Sequence, residues 1–199
     1  MKRAVIVGLV LAGTTAVAGC GGDDMKGMDH GSSASSPSSP NAQSASHNDQ
    51  DVMFAQQMIP HHRQAVEMAR LASSRTENPE VKTLATQIEG AQDPEITAMT
   101  GWLKEWGAAL PEDGMPGMDH GGAGMPGMMT DADMMSLTKA SGAGFDRMFL
   151  TMMIKHHEGA IAMAKEEQSK GSSAPAETLA GSIITGQTAE ISTMRGLLR

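Results

Sequence analysis

The chain has 199 residues, 40% of them hydrophobic and 3% aromatic, with a formal net charge of −8. That length holds one domain of ordinary size with tails. A single Cys excludes an intramolecular disulfide, a Cys-rich zinc module and a C-x-x-C-H haem attachment, while net acidity with so few rings excludes nucleic acid as a partner. Methionine is the anomaly: there are 19, beside 7 His, four of which form two His-His pairs.

Residues 1–19 read as an export signal, because Lys2 and Arg3 precede an apolar run from Ala4 to Val17 that ends in small residues. The run is shorter than the roughly 20 apolar residues a spanning helix needs. It closes on Val17-Ala18-Gly19-Cys20, which resembles the bacterial lipobox. That resemblance implies cleavage before Cys20 and a lipid on its sulfur. The exported protein would be anchored at the outer face of a bacterial membrane, periplasmic or cell-surface, by lipid alone. Residues 20–50 are mostly Gly, Ser, Ala, Pro, Asn and Asp, and bury too little to offset chain entropy. They read as a flexible tether.

From 51 to 199 the pattern is helical, and the chain repeats itself at an offset of 95 residues. Phe54, Met58, Ile59, His61, His62, Ala65, Met68 and Ala69 recur as Phe149, Met153, Ile154, His156, His157, Ala160, Met163 and Ala164. Leu84, Ile88, Gln92, Glu95, Ile96, Met99 and Leu103 recur as Leu179, Ile183, Gln187, Glu190, Ile191, Met194 and Leu198. Repeat one spans 51–106, a Met-rich linker 107–130 and repeat two 131–199. Asp51 and Asp146 can act as N-caps of the first helix of each unit, and Asn78-Pro79-Glu80 starts a second helix, with Pro175 near the matching place. A short helix from about Asp131 to Ala140 precedes the second unit, stopped by Gly142 and Gly144. Pro60 and Pro94 are expected to kink their helices or end them early. Each unit is thus a helical hairpin with one apolar stripe, and two such hairpins bury their stripes together as an all-α, four-helix bundle.

At 3.6 residues per turn, Met58, His61, His62 and Met68 share about a third of the helix circumference with Phe54, Ala65 and Ala69. Met153, His156, His157 and Met163 repeat the arrangement, and Met148 and Met152 add thioethers beside them. Thioether sulfur and neutral imidazole suit Cu(I), and by similar softness Ag(I), but not Mg²⁺ or Ca²⁺. Met at helical spacing is ordinarily core filling and a lone core His ordinarily hydrogen-bonded; two adjacent His on an apolar stripe, repeated in register, point to metal ligation instead. The tether and linker carry auxiliary candidates: Met25, Met28 and His30 are echoed by Met115, Met118 and His120, then partly by Met125 and Met128. Glu95 and Glu190 can orient the His rings or ligate in their own right.

Phe54-x3-Met58-Ile59-x-His61-His62-x2-Ala65-x2-Met68-Ala69, followed by Gln92-x2-Glu95-Ile96-x2-Met99-x2-Trp102-Leu103, is similar to the bacterial domain of unknown function 305 family, and the second copy matches it as well. The resemblance covers about Asp51 to Arg199. It implies a ferritin-like four-helix bundle and, for the CopM-type periplasmic members, copper binding through Met and His with a role in copper tolerance. Carried over residue by residue, it favours Met58, His61, His62, Met68, Met153, His156, His157 and Met163. The chain departs from the pattern by placing Pro60 before the first His pair and Leu197 where the first unit has Trp102.

The expectation is an extracytoplasmic lipoprotein that sequesters or shuttles Cu(I), served by a copper transporter or chaperone partner, and not an enzyme. No Ser/His/Asp grouping or phosphate loop is found. Two other readings stay open. One is a non-haem iron or manganese bundle oxidase using His and Glu. The other is an interaction module built on a pliable Met surface.

Overall fold

The computed structural model describes residues 46–111 and 125–199. The signal segment, Cys20, the tether as far as residue 45, and Met25, Met28, His30, Met115, Met118 and His120 lie outside the described residues. Within them the chain forms helices and no strand: α1 (Asp49–Arg75), α2 (Pro79–Glu105), α3 (Asp131–Lys139), α4 (Gly142–Lys170) and α5 (Ala174–Leu197). No described helix is long and apolar enough to cross a membrane.

The first helix begins earlier than its apolar pattern. Asn48 is its N-cap, accepting from the backbone N–H of Gln50 and Asp51, while the Asp51 carboxylate accepts from Asn48 N–H. This reciprocal pair satisfies donors that a helix start otherwise leaves open, so Asp51 is the third helical residue rather than the cap, and Asp49 and Gln50 belong to α1 rather than to the tether. Asp146 likewise sits inside α4, whose N-cap position is Ser141. Asn78 caps α2 as expected, accepting from Glu80 and Val81 N–H. Gly142 takes a positive φ of 54° at the turn between α3 and α4. Gly144 stops nothing, because it already lies within α4.

Neither internal proline ends its helix. α1 runs through Pro60 and α2 through Pro94. An interior proline costs about 3 kcal/mol; Pro60 lies in a stretch of α1 packed into the core by Phe54, Met58, Ile59, Ala65 and Met68, while Pro94 itself faces solvent.

Connections of three residues, 76–78 and 171–173, fold α1 back on α2 and α4 back on α5. Helices α1 and α4 then pack against each other in opposite directions, since Asn48 at the start of α1 donates to the Lys170 carbonyl at the end of α4, whereas His61 meets His156 midway. The buried apolar side chains form two clusters. One contains Ala65, Met68, Phe145, Phe149, Met153 and Met194; the other contains Phe54, Met58, Met99, Leu103, Met163 and Ile183. Phe145 and Phe149 stack at 5.6 Å in the first.

At one end of this interface lie two buried carboxyls that face each other. Asp51 accepts from the backbone N–H of Ser172 and Ser173, tying the start of α1 to the α4–α5 turn. Glu167 is fully buried and lies against Asp51 under the bare Cα of Gly171, with the Gln50 side chain as a weaker neighbour. Burial, then the hydrogen bond to Asp51 and its charge, push Glu167 up to about 8. Burial also raises Asp51, but hydrogen bonds from Glu167 and from the Asn48, Ser173 and Ser172 N–H groups outweigh it and hold Asp51 below its usual value. At neutral pH Glu167 is therefore a protonated donor to an ionised Asp51. The unfolded chain loses the Glu167 proton near pH 4.5 and the folded chain only near 8, so this group's contribution is fully present below 4.5 and is lost as pH rises to 8. Glu167→Gln keeps a donor without the proton. We expect its pH–stability profile, followed by thermal melts, to be flatter from pH 5 to 8 and its stability at pH 8 to exceed wild type by on the order of 2 kcal/mol. An unchanged profile would contradict this assignment.

Candidate metal centre

The four paired histidines form a buried polar layer within the bundle. His61, His62, His156 and His157 are each 0% exposed. The His61 and His156 rings lie 3.8 Å apart between centroids, tilted by 41°, and His156 and His157 are 6.5 Å apart. The other two rings point outward to the partner helix of their own hairpin: His62 Nε2 donates to Glu95 Oε2 at 2.7 Å, and His157 Nε2 donates to Glu190 Oε2 at 2.6 Å. The bond joins matching residues in both halves. Glu95 and Glu190 are thus placed as acceptors that orient a ring, the first of the two roles their sequence position allowed.

What these rings leave unsatisfied is as informative as what they bind. Nδ1 of all four histidines is buried without a partner, and His156 lacks a partner at Nε2 as well. Buried polar atoms are nearly always paired, and each orphan costs about 1–3 kcal/mol. Burial, with added repulsion from His62 and His157 and opposed by the Pro126 carbonyl, pushes His61 down to about 3. Burial first, then the charges of His61, His157 and His62, outweigh the opposing pull of the His61 backbone and hold His156 well below its ordinary value. Both imidazoles are therefore neutral at physiological pH, and carry free lone pairs facing the protein interior. This is the state in which imidazole ligates a metal.

The structure redistributes the candidate sulfur ligands. Within one helix Met58 and Met68 share a stripe, yet they end in different clusters: Met58 joins Met163 from the other half, and Met68 joins Met153. Each apolar cluster thus contributes one stripe Met from each hairpin. Met148 and Met152 sit partly buried at the margin of the Met68–Met153 cluster. Among the described residues no three of His, Cys, Asp and Glu converge closely enough to hold an ion by themselves. An ion held within the bundle has thioether sulfur to draw on beside the imidazoles.

The linker expectation needs correction at its C-terminal end. Residues 125–129 pack as a strap over α1 and α4, with Met129 at 6% exposure, rather than as a free segment. His61 Nε2 donates to the Pro126 carbonyl at 3.0 Å, and Gln64 pairs with both the N–H and the carbonyl of Met129 at 2.8 and 2.9 Å. Met125 and Met128, auxiliary candidates, lie half-buried in this strap. Gln92 and Gln187, also matched across the halves, are buried with both amide atoms unpartnered. Sequence reasoning noted their recurrence without assigning them a role. Their equal spacing from Glu95 and Glu190 was the available signal.

An all-helical protein with a buried His layer between two Met-bearing apolar clusters is the class that fold and site define. The chain belongs to the family described as domain of unknown function DUF305, whose family model matches residues 51–198. It is similar to the crystal structure of a putative secreted DUF305 protein from Streptomyces coelicolor, at 37% identity and a TM-score of 0.66, covering 75% of this chain and 91% of that one. A DUF305 fragment from Deinococcus radiodurans matches at 34% identity and 0.67, covering 76% and 96%. CopM in its Cu(I)-bound form matches at 32% and 0.61, covering 74% and 94%, and CopM also has solved Cu(II)-bound and Ag-bound forms. The uncharacterized protein L153 of Acanthamoeba polyphaga mimivirus is 40% identical over 55 residues, a match spanning 28% of this chain and 36% of that protein's length.

Proposed function

We propose that this protein is an extracytoplasmic copper-binding lipoprotein, which sequesters or shuttles Cu(I), and accepts Ag(I), by exchange of Met and His ligands without catalytic turnover. The observation that carries the reading is the pair of buried, neutral imidazoles of His61 and His156, with unpartnered nitrogens, in contact at the bundle centre. Such atoms are costly unless something accepts their lone pairs. The thioethers of Met58, Met68, Met153 and Met163 supply the soft remainder of a Cu(I) or Ag(I) coordination sphere. Glu95 and Glu190 accept from His62 and His157 and so orient them, as carboxylates beside metal-bound histidines do. The solved CopM forms with Cu(I), Cu(II) and Ag support copper as the cargo, and the secreted relative supports a location outside the cytoplasm. Supply from or delivery to a copper transporter or chaperone completes the proposal, with a role in copper tolerance.

An anaerobic competition titration of the full chain with Cu(I), Fe(II) and Zn(II) tests it. Cu(I) is expected to displace the other two and to bind with the highest affinity. Retention of Fe(II) against Cu(I) would instead favour a His and Glu oxidase centre.

A further inference from the structure

His61 and His156 occupy the same position of the repeat, yet the structure makes them unequal. His61 Nε2 is held by the Pro126 carbonyl at 3.0 Å, whereas no strap carbonyl or carboxylate holds either nitrogen of His156. The difference comes from the connection between the halves, which exists only once. Its last residues lie as a strap over both helices, and the two halves meet it with different residues at one shared repeat position. In the first half that residue is Gln64, whose amide clamps Met129 through two hydrogen bonds. In the second half it is Gly159, and a Cβ there would lie 1.9 Å from the Pro126 carbonyl oxygen. One half grips the strap and the other makes room for it. Gly127 completes the fit, with φ of +82° and a close approach to the Lys155 and His156 carbonyls that admits no side chain.

We propose that the strap is a positioning element of the metal centre: the Pro126 carbonyl keeps the proton of His61 on Nε2, so that Nδ1 is the nitrogen this residue offers to a soft cation. A carbonyl oxygen only accepts, so the ring nitrogen facing it carries hydrogen. A neutral imidazole has one such hydrogen, and its other nitrogen keeps the lone pair. Nδ1 of His61 is buried and unpartnered, as a ligand nitrogen must be before the metal arrives. The carboxylates of Glu95 and Glu190 impose the same tautomer on His62 and His157. Pro126 extends the pattern to His61, and His156 is the one ring of the four that neither the strap nor a carboxylate holds. Pro126, Gln64 and Gly159 are positioning residues in this scheme, acting on a ligand without touching the ion.

The metal half of the inference rests on the copper reading, but the tautomer half does not, and one experiment separates them. Imidazole nitrogen NMR of the metal-free full chain, labelled at histidine, reads the tautomer of His61. The same preparations are titrated anaerobically with Cu(I) against a chromophoric chelator. Gly159→Ala drives a methyl group into the strap, and Gln64→Ala releases Met129 while leaving α4 untouched, so the two variants loosen the strap from opposite sides. Gly186→Ala, at a helical glycine with nothing within 4 Å of the added methyl, is the control. Wild type and Gly186→Ala are expected to show a single Nε2–H form of His61. Both strap variants are expected to show a tautomer mixture, with Cu(I) affinity lowered about 10- to 100-fold, the usual loss when the partner of a metal-bound His is removed. A His61 still wholly in the Nε2–H form in both strap variants would overturn the proposal, as would a tautomer mixture with Cu(I) affinity within twofold of wild type. If wild type itself fails to bind Cu(I) while its tautomer still depends on the strap, the copper reading falls and the positioning of His61 stands.

Discussion

Replacing His61 and His156 together by Ala is expected to lower the Cu(I) affinity of the full chain by more than about 100-fold, beyond the loss that follows removal of a supporting hydrogen bond. The two rings are in contact at the centre of the bundle, are neutral because they are buried, and have unpartnered nitrogens directed at protein rather than water. Deleting them removes the two rings in contact, and His62 and His157, each turned to a carboxylate of its own hairpin, do not take their place. The fold is expected to survive, because two effects oppose: cavities cost stability, and the orphan polar atoms that cost about 1–3 kcal/mol each disappear with the rings. Circular dichroism and a thermal melt of the metal-free variant check that survival. Cu(I) affinity within tenfold of wild type, in a folded variant, would move the copper site away from the His layer.

The second large effect concerns how the sulfur ligands are grouped. Met58 and Met163 share one apolar cluster, Met68 and Met153 the other, and each pair draws one residue from each hairpin. Met→Leu removes the thioether and nearly conserves volume, at a folding cost under about 1.5 kcal/mol. A single substitution is expected to lower Cu(I) affinity roughly tenfold, equivalent to about 1.4 kcal/mol. Once one Met of a cluster is gone, losing its cluster mate is expected to add little, whereas losing a Met of the other cluster adds its full effect. Double-variant cycles read the difference as a coupling of about 0.5–3 kcal/mol within a cluster. Strong coupling between Met58 and Met68, which share a helix face but not a cluster, would show that the sites form along single helices instead.

Much of this was legible in the amino-acid order because it is local. The spacing of Phe54, Met58, Ala65 and Ala69 follows the helical period, and its return at Phe149, Met153, Ala160 and Ala164 announces a second copy, so the all-helical architecture needed no distant information. Asn78-Pro79 marked the start of α2 for the same reason. Positions where tertiary contacts decide were read differently. Asp51 looked like a cap by residue type, but the chain continues helical for two residues before it, and its carboxylate is claimed by Ser172 and Ser173 far along the sequence. Pro60 looked like a kink or a stop, and α1 runs on through it to Arg75. The His-Met stripe was visible, yet a helical wheel shows neighbours along one helix and cannot show that Met58 pairs across the interface with the half containing Met163. The strap was hardest to read, since Met125 to Met129 has the composition of a linker. Gln64 and Gly159 are one of several differences between the two copies of the stripe, and only the fold reveals why they differ.

The central claim, that the bundle interior holds a soft cation through both imidazole and thioether, is tested most directly by X-ray absorption of the full chain loaded with one equivalent of Cu(I) under anaerobic conditions. The account predicts mixed scatterers, nitrogen at about 2.0 Å and sulfur at about 2.3 Å by analogy with the lengths known for zinc, with the nitrogen contribution lost on replacing His61 and His156. A spectrum with sulfur alone, unchanged in that variant, or with nitrogen and oxygen alone, would contradict it.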